Sequence, residues 1–252
     1  MKQRYFIYFA YNGSRYCGWQ IQPNGISVQE VMMKSFSTIL RSEIEITAAG
    51  RTDAGVHAKE MVAHADLDLT TETLAEFIQR VNSVLPNDIA VNKILPVKSD
   101  AHARFDALSR KYEYQIVLGK NVFLNDFAMR IHQPLNLVEM NEAAAALFDY
   151  SDFTSFSKLH TDVKTNNCKI KQVSWIQNDD GYVFCIEADR FLRNMVRAIV
   201  GTMIEVGKGK ISVDEFRKII EAKNRSSAGM SVPAKGLFLT KITYPEWVFE
   251  KI

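Results

Sequence analysis

Hydrophobic periodicity switches between strand and helix spacing in the same order twice along this chain, and that order constrains the fold more than any single residue. Residues 4–11 alternate and are rich in Tyr, Phe and Ile, as a strand is. Ser27 and Glu30 form an S-x-x-E capping box, after which Val28, Val31, Met32, Ile39 and Leu40 share one helical face. Ile44, Ile46 and Ala48 alternate, as do Met61, Ala63, Ala65 and Leu67, so two strands are expected to flank residues 50–57. Leu74, Phe77, Ile78, Val81 and Leu85 mark a second helix stopped by Pro86, and residues 89–97 a fourth strand.

The second half repeats the order. Residues 111–118 alternate, and Met140, Ala143, Ala144, Leu147 and Phe148 mark a helix. Residues 170–176 and 182–188 make a hairpin around Asp179-Asp180-Gly181, where Asp-Gly favours a tight turn. A helix over 191–205 follows, then one capped by Ser212 and Glu215, and a strand over 237–242. The expected fold is α+β: two ferredoxin-like (RRM-like) β-α-β-β-α-β halves joined into one mainly antiparallel sheet, with helices on one side and a cleft on the other. Their division is placed at 1–105 and 106–252. No sequence repeat accompanies it, so the duplication is one of topology.

Composition sets outer bounds. A 47% hydrophobic and 24% charged chain of 252 residues is ordinary for a well-packed globule. No apolar run approaches the roughly 20 residues of a membrane helix, and no signal-peptide core opens the chain. Three scattered cysteines argue against a disulfide framework or a structural metal site, and the expected location is cytoplasmic. Net charge is +2 but unevenly spread: residues 1–157 hold 15 Lys+Arg against 18 Asp+Glu, whereas residues 158–235 hold 14 against 9. That asymmetry permits a localised basic face without requiring one.

Between the two flanking strands of the first half stands Gly50-Arg51-Thr52-Asp53-Ala54-Gly55-Val56-His57, one carboxylate in a loop bracketed by glycines. Rigid strands can hold such a loop still for function. The bland alternative is a hairpin whose Asp53 only makes a local turn.

Residue for residue, this loop resembles the catalytic loop of the TruA family of tRNA pseudouridine synthases. The likeness extends along the chain. Tyr11-Asn12-Gly13-Ser14-Arg15-Tyr16-Cys17-Gly18-Trp19-Gln20 resembles the family's Y-[DN]-G-x-x-[FY]-x-G-[WF]-Q loop, and His102-Ala103-Arg104-Phe105 its H-A-R-F segment. Arg110-Lys111-Tyr112-Glu113-Tyr114 resembles R-[RK]-Y-x-Y, and Phe191-Leu192-Arg193-Asn194-Met195-Val196-Arg197 resembles F-L-x-x-M-V-R. Asp152-Phe153-Thr154-Ser155-Phe156, Arg225-Ser226-Ser227-Ala228-Gly229 and Pro233-Ala234-Lys235-Gly236-Leu237-Phe238-Leu239 resemble three further segments, whereas residues 159–168 follow no family pattern.

The resemblance implies isomerisation of uridine to pseudouridine at positions 38, 39 and 40 of the tRNA anticodon stem-loop, by a homodimer. It makes Asp53 the catalytic carboxylate, Arg197 its partner, Tyr112 the active-site tyrosine and Leu237 a wall of the base pocket. Breaking the N1–C1′ bond, turning the base and forming a C5–C1′ bond oxidises nothing, so no cofactor or metal is expected. The carboxylate must stay ionised in a site that excludes water, and a nearby arginine opposes the desolvation. Arg51, Arg104, Arg193 and Arg197 are the candidates. Arg51, His57, Arg104 and Arg193 are expected to meet substrate, His57 alternatively only shaping the loop. Arg15, Lys158, Lys164, Lys169 and Lys171 are candidate phosphate contacts, each lysine singly more readily a solvated surface group. Tyr112 and Tyr114 share a strand face, so periodicity alone does not choose between them. A non-catalytic RNA-binding module and a carboxylate glycosidase are the alternatives. The first lacks an aromatic RNP-type strand motif here, and the second needs a paired carboxyl group.

Overall fold

The computed structural model describes residues 2–69, 73–158 and 165–250. Lys164, and residues 159–164 of the segment without a family pattern, therefore lie outside the described residues. The architecture is mixed α/β, with largely antiparallel strand pairing and five α-helices among the described residues. No helix among the described residues is long and apolar enough to cross a membrane.

The chain divides into two units, Met1–Leu108 with Leu239–Ile252, and Ser109–Phe238. The expected boundary at 105/106 falls beside that division, but the C-terminal segment groups with the first unit. Aromatic anchoring explains why. Tyr244 and Phe249 pack on the fully buried Phe6 at ring separations of 4.7 and 6.2 Å. Lys98 N–H donates to Val248 O at 3.1 Å, and Tyr244 Oη to Ala103 O at 2.6 Å.

In the first unit, β1 (Gln3–Tyr11) lies between β3 (His57–Leu67) and β4 (Ile89–Pro96), antiparallel to both. The short β2 (Thr47–Ala48) pairs antiparallel with β3. Helices α1 (Val28–Leu40) and α2 (Leu74–Val84) begin at Ser27 and Thr73, whose hydroxyls accept the N–H of Glu30 and Glu76. Such caps satisfy an otherwise orphaned helix donor. Phe36 and Phe77 meet edge to face at 5.6 Å, both fully buried, and join the two helices.

One strand expected from alternation is mostly absent. Ile44 and Ile46 are buried, but only Thr47 and Ala48 pair with a neighbouring strand. Side chains of α1 bond the backbone that a ladder would otherwise pair. Ser37 Oγ accepts Ile44 N–H at 3.0 Å, and Gln29 Nε2 donates to Ile46 O at 2.9 Å.

In the second unit, β5 (Ser109–Leu118), β8 (Gly181–Ala188) and β7 (Ile170–Gln177) lie in that order, antiparallel. A short β6 (Met129–Ile131), unforeseen from periodicity, pairs parallel with β5. Helices α3 (Leu137–Ala146), α4 (Met195–Gly207) and α5 (Val213–Glu221) accompany them. The last strand, β9 (Leu237–Thr243), spans the division between the units, and its later residues lie beside β3 in the first. Phe148 was expected on the face of α3, yet it sits in a 3₁₀ turn with its ring exposed. Helix α4 starts at Met195 rather than Phe191, because Asn194 takes a left-handed conformation, φ 65°, and breaks the helix there.

Candidate active site

The Asp53 loop is seated by the segment 11–20 through the main chain. Trp19 N–H donates to Thr52 O at 3.2 Å, and Gly55 N–H to Tyr16 O at 3.4 Å. Tyr11 Oη and Thr52 Oγ1 are hydrogen-bonded at 2.8 Å inside the unit. Gly13 N–H donates to Nδ1 of His57 at 3.1 Å. That ring is buried and is therefore well placed to shape the loop. Its Nδ1 accepts, so the acceptor nitrogen carries no proton.

Two glycines of the seating segment allow this approach. A Cβ at Gly13 or Gly18 would fall closer than 3.0 Å to the carbonyl oxygen of Val56 or Thr52, and Gly18 also has φ +89°. Asp53 O accepts Val56 N–H at 3.1 Å, closing a turn whose third residue, Gly55, has φ 77°. Positive φ at that position is what a type II turn requires. The other bracketing glycine, Gly50, has no positive φ, and a Cβ there would meet nothing within 4 Å, so only one of the pair is there for backbone reasons. Asp53 itself is half-buried, while Arg51 is exposed.

The second unit holds the other candidates. Tyr112 on β5 is half-buried, and its ring meets Phe191 edge-on at 5.2 Å. Two residues on, Tyr114 is fully buried and donates to Pro233 O at 2.8 Å. Burial pushes its phenol pKa well up, opposed by the charge of Arg197. Burial separates the two tyrosines that periodicity left equivalent: Tyr114 is a core residue and Tyr112 the accessible one.

Arg197 lies in the first turn of α4, half-buried, with Nε donating to Val232 O at 2.7 Å. Val232 N–H returns a bond to Arg197 O at 3.2 Å. The segment holding Val232 lies directly against α4. Gly229 N–H donates to Thr202 Oγ1 at 3.0 Å, and a Cβ at Gly201 would collide with Met230 O. Asn194 Nδ2 and Arg225 both donate to Ser231 Oγ, at 2.6 and 2.9 Å. Arg197 is therefore oriented by Val232, in the segment that follows the R-x-x-A-G lead-in, a link that no local periodicity signals. Leu237 is buried at the start of β9, and Arg193 is exposed, its carbonyl accepting Lys158 N–H at 3.1 Å.

Arg104 is exposed in a turn of the first unit. Arg15 is largely exposed and 3.6 Å from Asp88, a carboxylate that also accepts from Tyr16 Oη at 2.5 Å. The structure thus gathers Asp53, Arg51 and His57 in one loop of the first unit. In the second it gathers Tyr112 and Arg197 around the segment beginning at Phe191. Sequence reasoning missed Gly13, Gly18 and Gly201 as seats, although the spacing of the first two within Y-N-G-x-x-x-x-G-W was a usable signal.

A mixed α/β protein with a carboxylate loop, a half-buried tyrosine and a helix-borne arginine on these motifs defines a class. A family model described as tRNA pseudouridine synthase matches residues 7–106 and 143–245. The protein of Bacteroides fragilis named tRNA pseudouridine synthase A is 59% identical over 249 residues, covering 98% of this chain and 99% of that protein. Those of Parabacteroides distasonis and Geobacter sp. are 53% and 37% identical, over 98% and 95% of this chain and 98% of each of theirs. The chain belongs to the tRNA pseudouridine synthase family and is an isomerase of that class.

Proposed function

We propose that this chain isomerises uridine to pseudouridine in tRNA, in the anticodon stem-loop at positions 38, 39 and 40, as the resemblance implies. Asp53 is the reacting carboxylate. It either attacks C1′ or removes a ribose proton, and both routes begin from the ionised form. Arg197 is its cationic partner, and Tyr112 stands against the uracil and handles the proton lost from C5. Arg51, Arg104 and Arg193 contact the RNA, and Leu237 walls the base. The target nucleotide leaves its stack at a cost of a few kcal/mol, offset by stacking and backbone contacts in the pocket. Each half is read as ferredoxin-like, and the working form as a cytoplasmic homodimer.

The seating of the Asp53 loop carries this reading. The turn that a purely structural Asp53 would make is closed by the main-chain bond between Asp53 O and Val56 N–H and by the left-handed Gly55. The surrounding glycines bring a second backbone against the loop and fix where the carboxylate starts.

The test is incubation with an unmodified tRNA transcript and chemical mapping of pseudouridine, since the isomer has unchanged mass. Wild type is expected to form product in the anticodon stem, and Asp53→Asn none while still binding tRNA. Arg197→Met is expected to keep most of the affinity and lose turnover. Full activity in Asp53→Asn overturns the catalytic assignment. Binding by the wild type without product favours a binding module.

A further inference from the structure

Residues 102–106 form a turn built around two imidazoles. Ala103 N–H donates to Nδ1 of His64 on β3, at 3.2 Å. Arg104 N–H and Phe105 N–H donate to Nδ1 of His102, at 3.1 and 3.4 Å. Asp106 Oδ2 accepts His102 N–H at 2.7 Å, and Asp106 N–H returns to His102 O at 3.1 Å. The two rings meet edge-on at 4.5 Å, and His102 packs on the ring of Phe105 at 4.2 Å. Each residue from His102 to Asp106, Ala103 through Phe105 included, thus has its backbone N–H committed to a side chain or a carbonyl of this clasp.

The clasp displays an aromatic ring and a cation side by side. Phe105 is 74% exposed, and the Arg104 guanidinium carbon lies 5.7 Å from its ring centre. A rigid turn that holds an aromatic face in solvent beside a cation matches the chemistry that binds unpaired nucleobases. Aromatic rings stack on any base, and arginine adds cation–π attraction and phosphate pairing.

We propose that Phe105 is a stacking platform for a nucleobase of the tRNA, with His64 and His102 acting as positioning residues that present it. This rests on tRNA being the substrate. Within the H-A-R-F segment, the platform adds a base contact to the Arg104 contact already proposed. The imidazoles work as neutral acceptors, because a protonated Nδ1 cannot accept the amide bonds that hold the turn.

The experiment compares Phe105→Leu with Phe105→Trp, and His102→Ala with His102→Asn, in the full-length protein. Unmodified tRNA transcript is the probe, and affinity, kcat and KM are read together with the melting temperature and the sedimentation of the free protein. Phe105→Leu keeps the apolar bulk and loses the π-face. It is expected to melt as the wild type does and to weaken tRNA binding by about 5- to 150-fold, the range that loss of one base–aromatic stack produces. Phe105→Trp is expected to bind at least ~5-fold more tightly than Phe105→Leu for the same reason. His102→Asn restores an acceptor through Oδ1 and is expected to bind more tightly than His102→Ala.

Wild-type affinity in Phe105→Leu overturns the proposal. So does a Phe105→Leu protein that sediments as a smaller species, which would assign the ring to a contact between copies. Failure of the wild type to form pseudouridine is a separate result. It refutes the functional reading, whereas product formation with an unimpaired Phe105→Leu refutes only the platform.

Discussion

Gly13→Ala perturbs the Asp53 loop without replacing any residue in it. Gly13 has no positive φ, so an alanine there meets no backbone strain, and by chain entropy alone it would stabilise the fold by ~0.4–1 kcal/mol. The structure reverses that sign. The new Cβ would overlap Val56 O and C, main-chain atoms that have no rotamer into which to retreat. Forcing an extra carbon into a packed site costs ~1–3 kcal/mol. Displacing Gly13 N–H from His57 Nδ1 removes a further ~0.5–1.5 kcal/mol. The net is a loss of about 2.5 kcal/mol, or a fall in Tm of ~5–10 °C for a chain of this size. Relief comes by moving residues 53–56, and a shift of ~1 Å at a reacting group costs about 10²-fold in rate. Thermal melts by circular dichroism, and single-turnover pseudouridine formation at saturating transcript, measure the two effects. Gly50→Ala is the control: open space surrounds that position, so stability is expected to hold within ~0.5 kcal/mol. A Gly13→Ala protein with wild-type Tm and turnover refutes the seating argument. So does a Gly50→Ala protein as unstable as Gly13→Ala.

The two tyrosines of β5 should separate cleanly. Tyr114→Phe takes the donor from Pro233 O inside the second unit and is expected to cost ~1–3 kcal/mol in urea unfolding. Tyr112→Phe, at a half-buried site, should leave stability within ~0.5 kcal/mol and lower turnover; the opposite pattern would exchange their roles. Acid should open the imidazole clasp. Burial, with help from His102 and Arg4 and against Asp66 and Asp106, pushes His64 down from 6.5 to about 4. Burial and the charges of Arg4 and Arg104, against Asp106, also lower His102. A histidine with a depressed folded pKa favours the native state fully above 6.5, and that contribution disappears as pH falls toward 4. Hydrogen exchange at Ala103 N–H should therefore stay slow at neutral pH and lose protection across that window. Unchanged protection at pH 4 would mean that the His64 bond does not hold the turn.

The parts of the fold that were legible in the sequence are those encoded locally. Ser27 and Ser212 cap the helices that they precede, because a hydroxyl reaches the N–H three residues on without help from the rest of the chain. Asp53, Tyr112 and Arg197 stood out through the motifs around them. What was not legible depends on partners distant in sequence. Ile44 and Ile46 carry a strand's alternation, but Ser37 and Gln29 take up their backbone groups, so burial follows the pattern and pairing does not. The start of α4 was misplaced because the apolar spacing continues through residues 191–194, while Asn194 turns left-handed with its amide bonded to Ser231, 37 residues away. The C-terminal segment joins the first unit through Phe6, which nothing near Tyr244 in sequence announces.

Both units nevertheless use one device to place a side chain of the proposed site. In the first, segment 11–20 presses its backbone on the Asp53 loop where Gly13 and Gly18 leave room. In the second, residues 228–232 press on α4 where Gly201 leaves room, and Val232 O then receives Arg197 Nε. A carbonyl held by its own main chain is a stiffer reference than a side-chain tip, since it has no rotamers to choose among. Glycine is the residue that admits it, because any Cβ would occupy the space of the incoming backbone. The cost is that the position of Asp53 and of Arg197 depends on a second loop distant in sequence. Substitutions in such loops should therefore appear first as lost turnover and only later as lost folding. On this logic the order of sensitivity across the molecule follows the glycine seats, and distance from Asp53 or Arg197 along the chain is a poor guide to it.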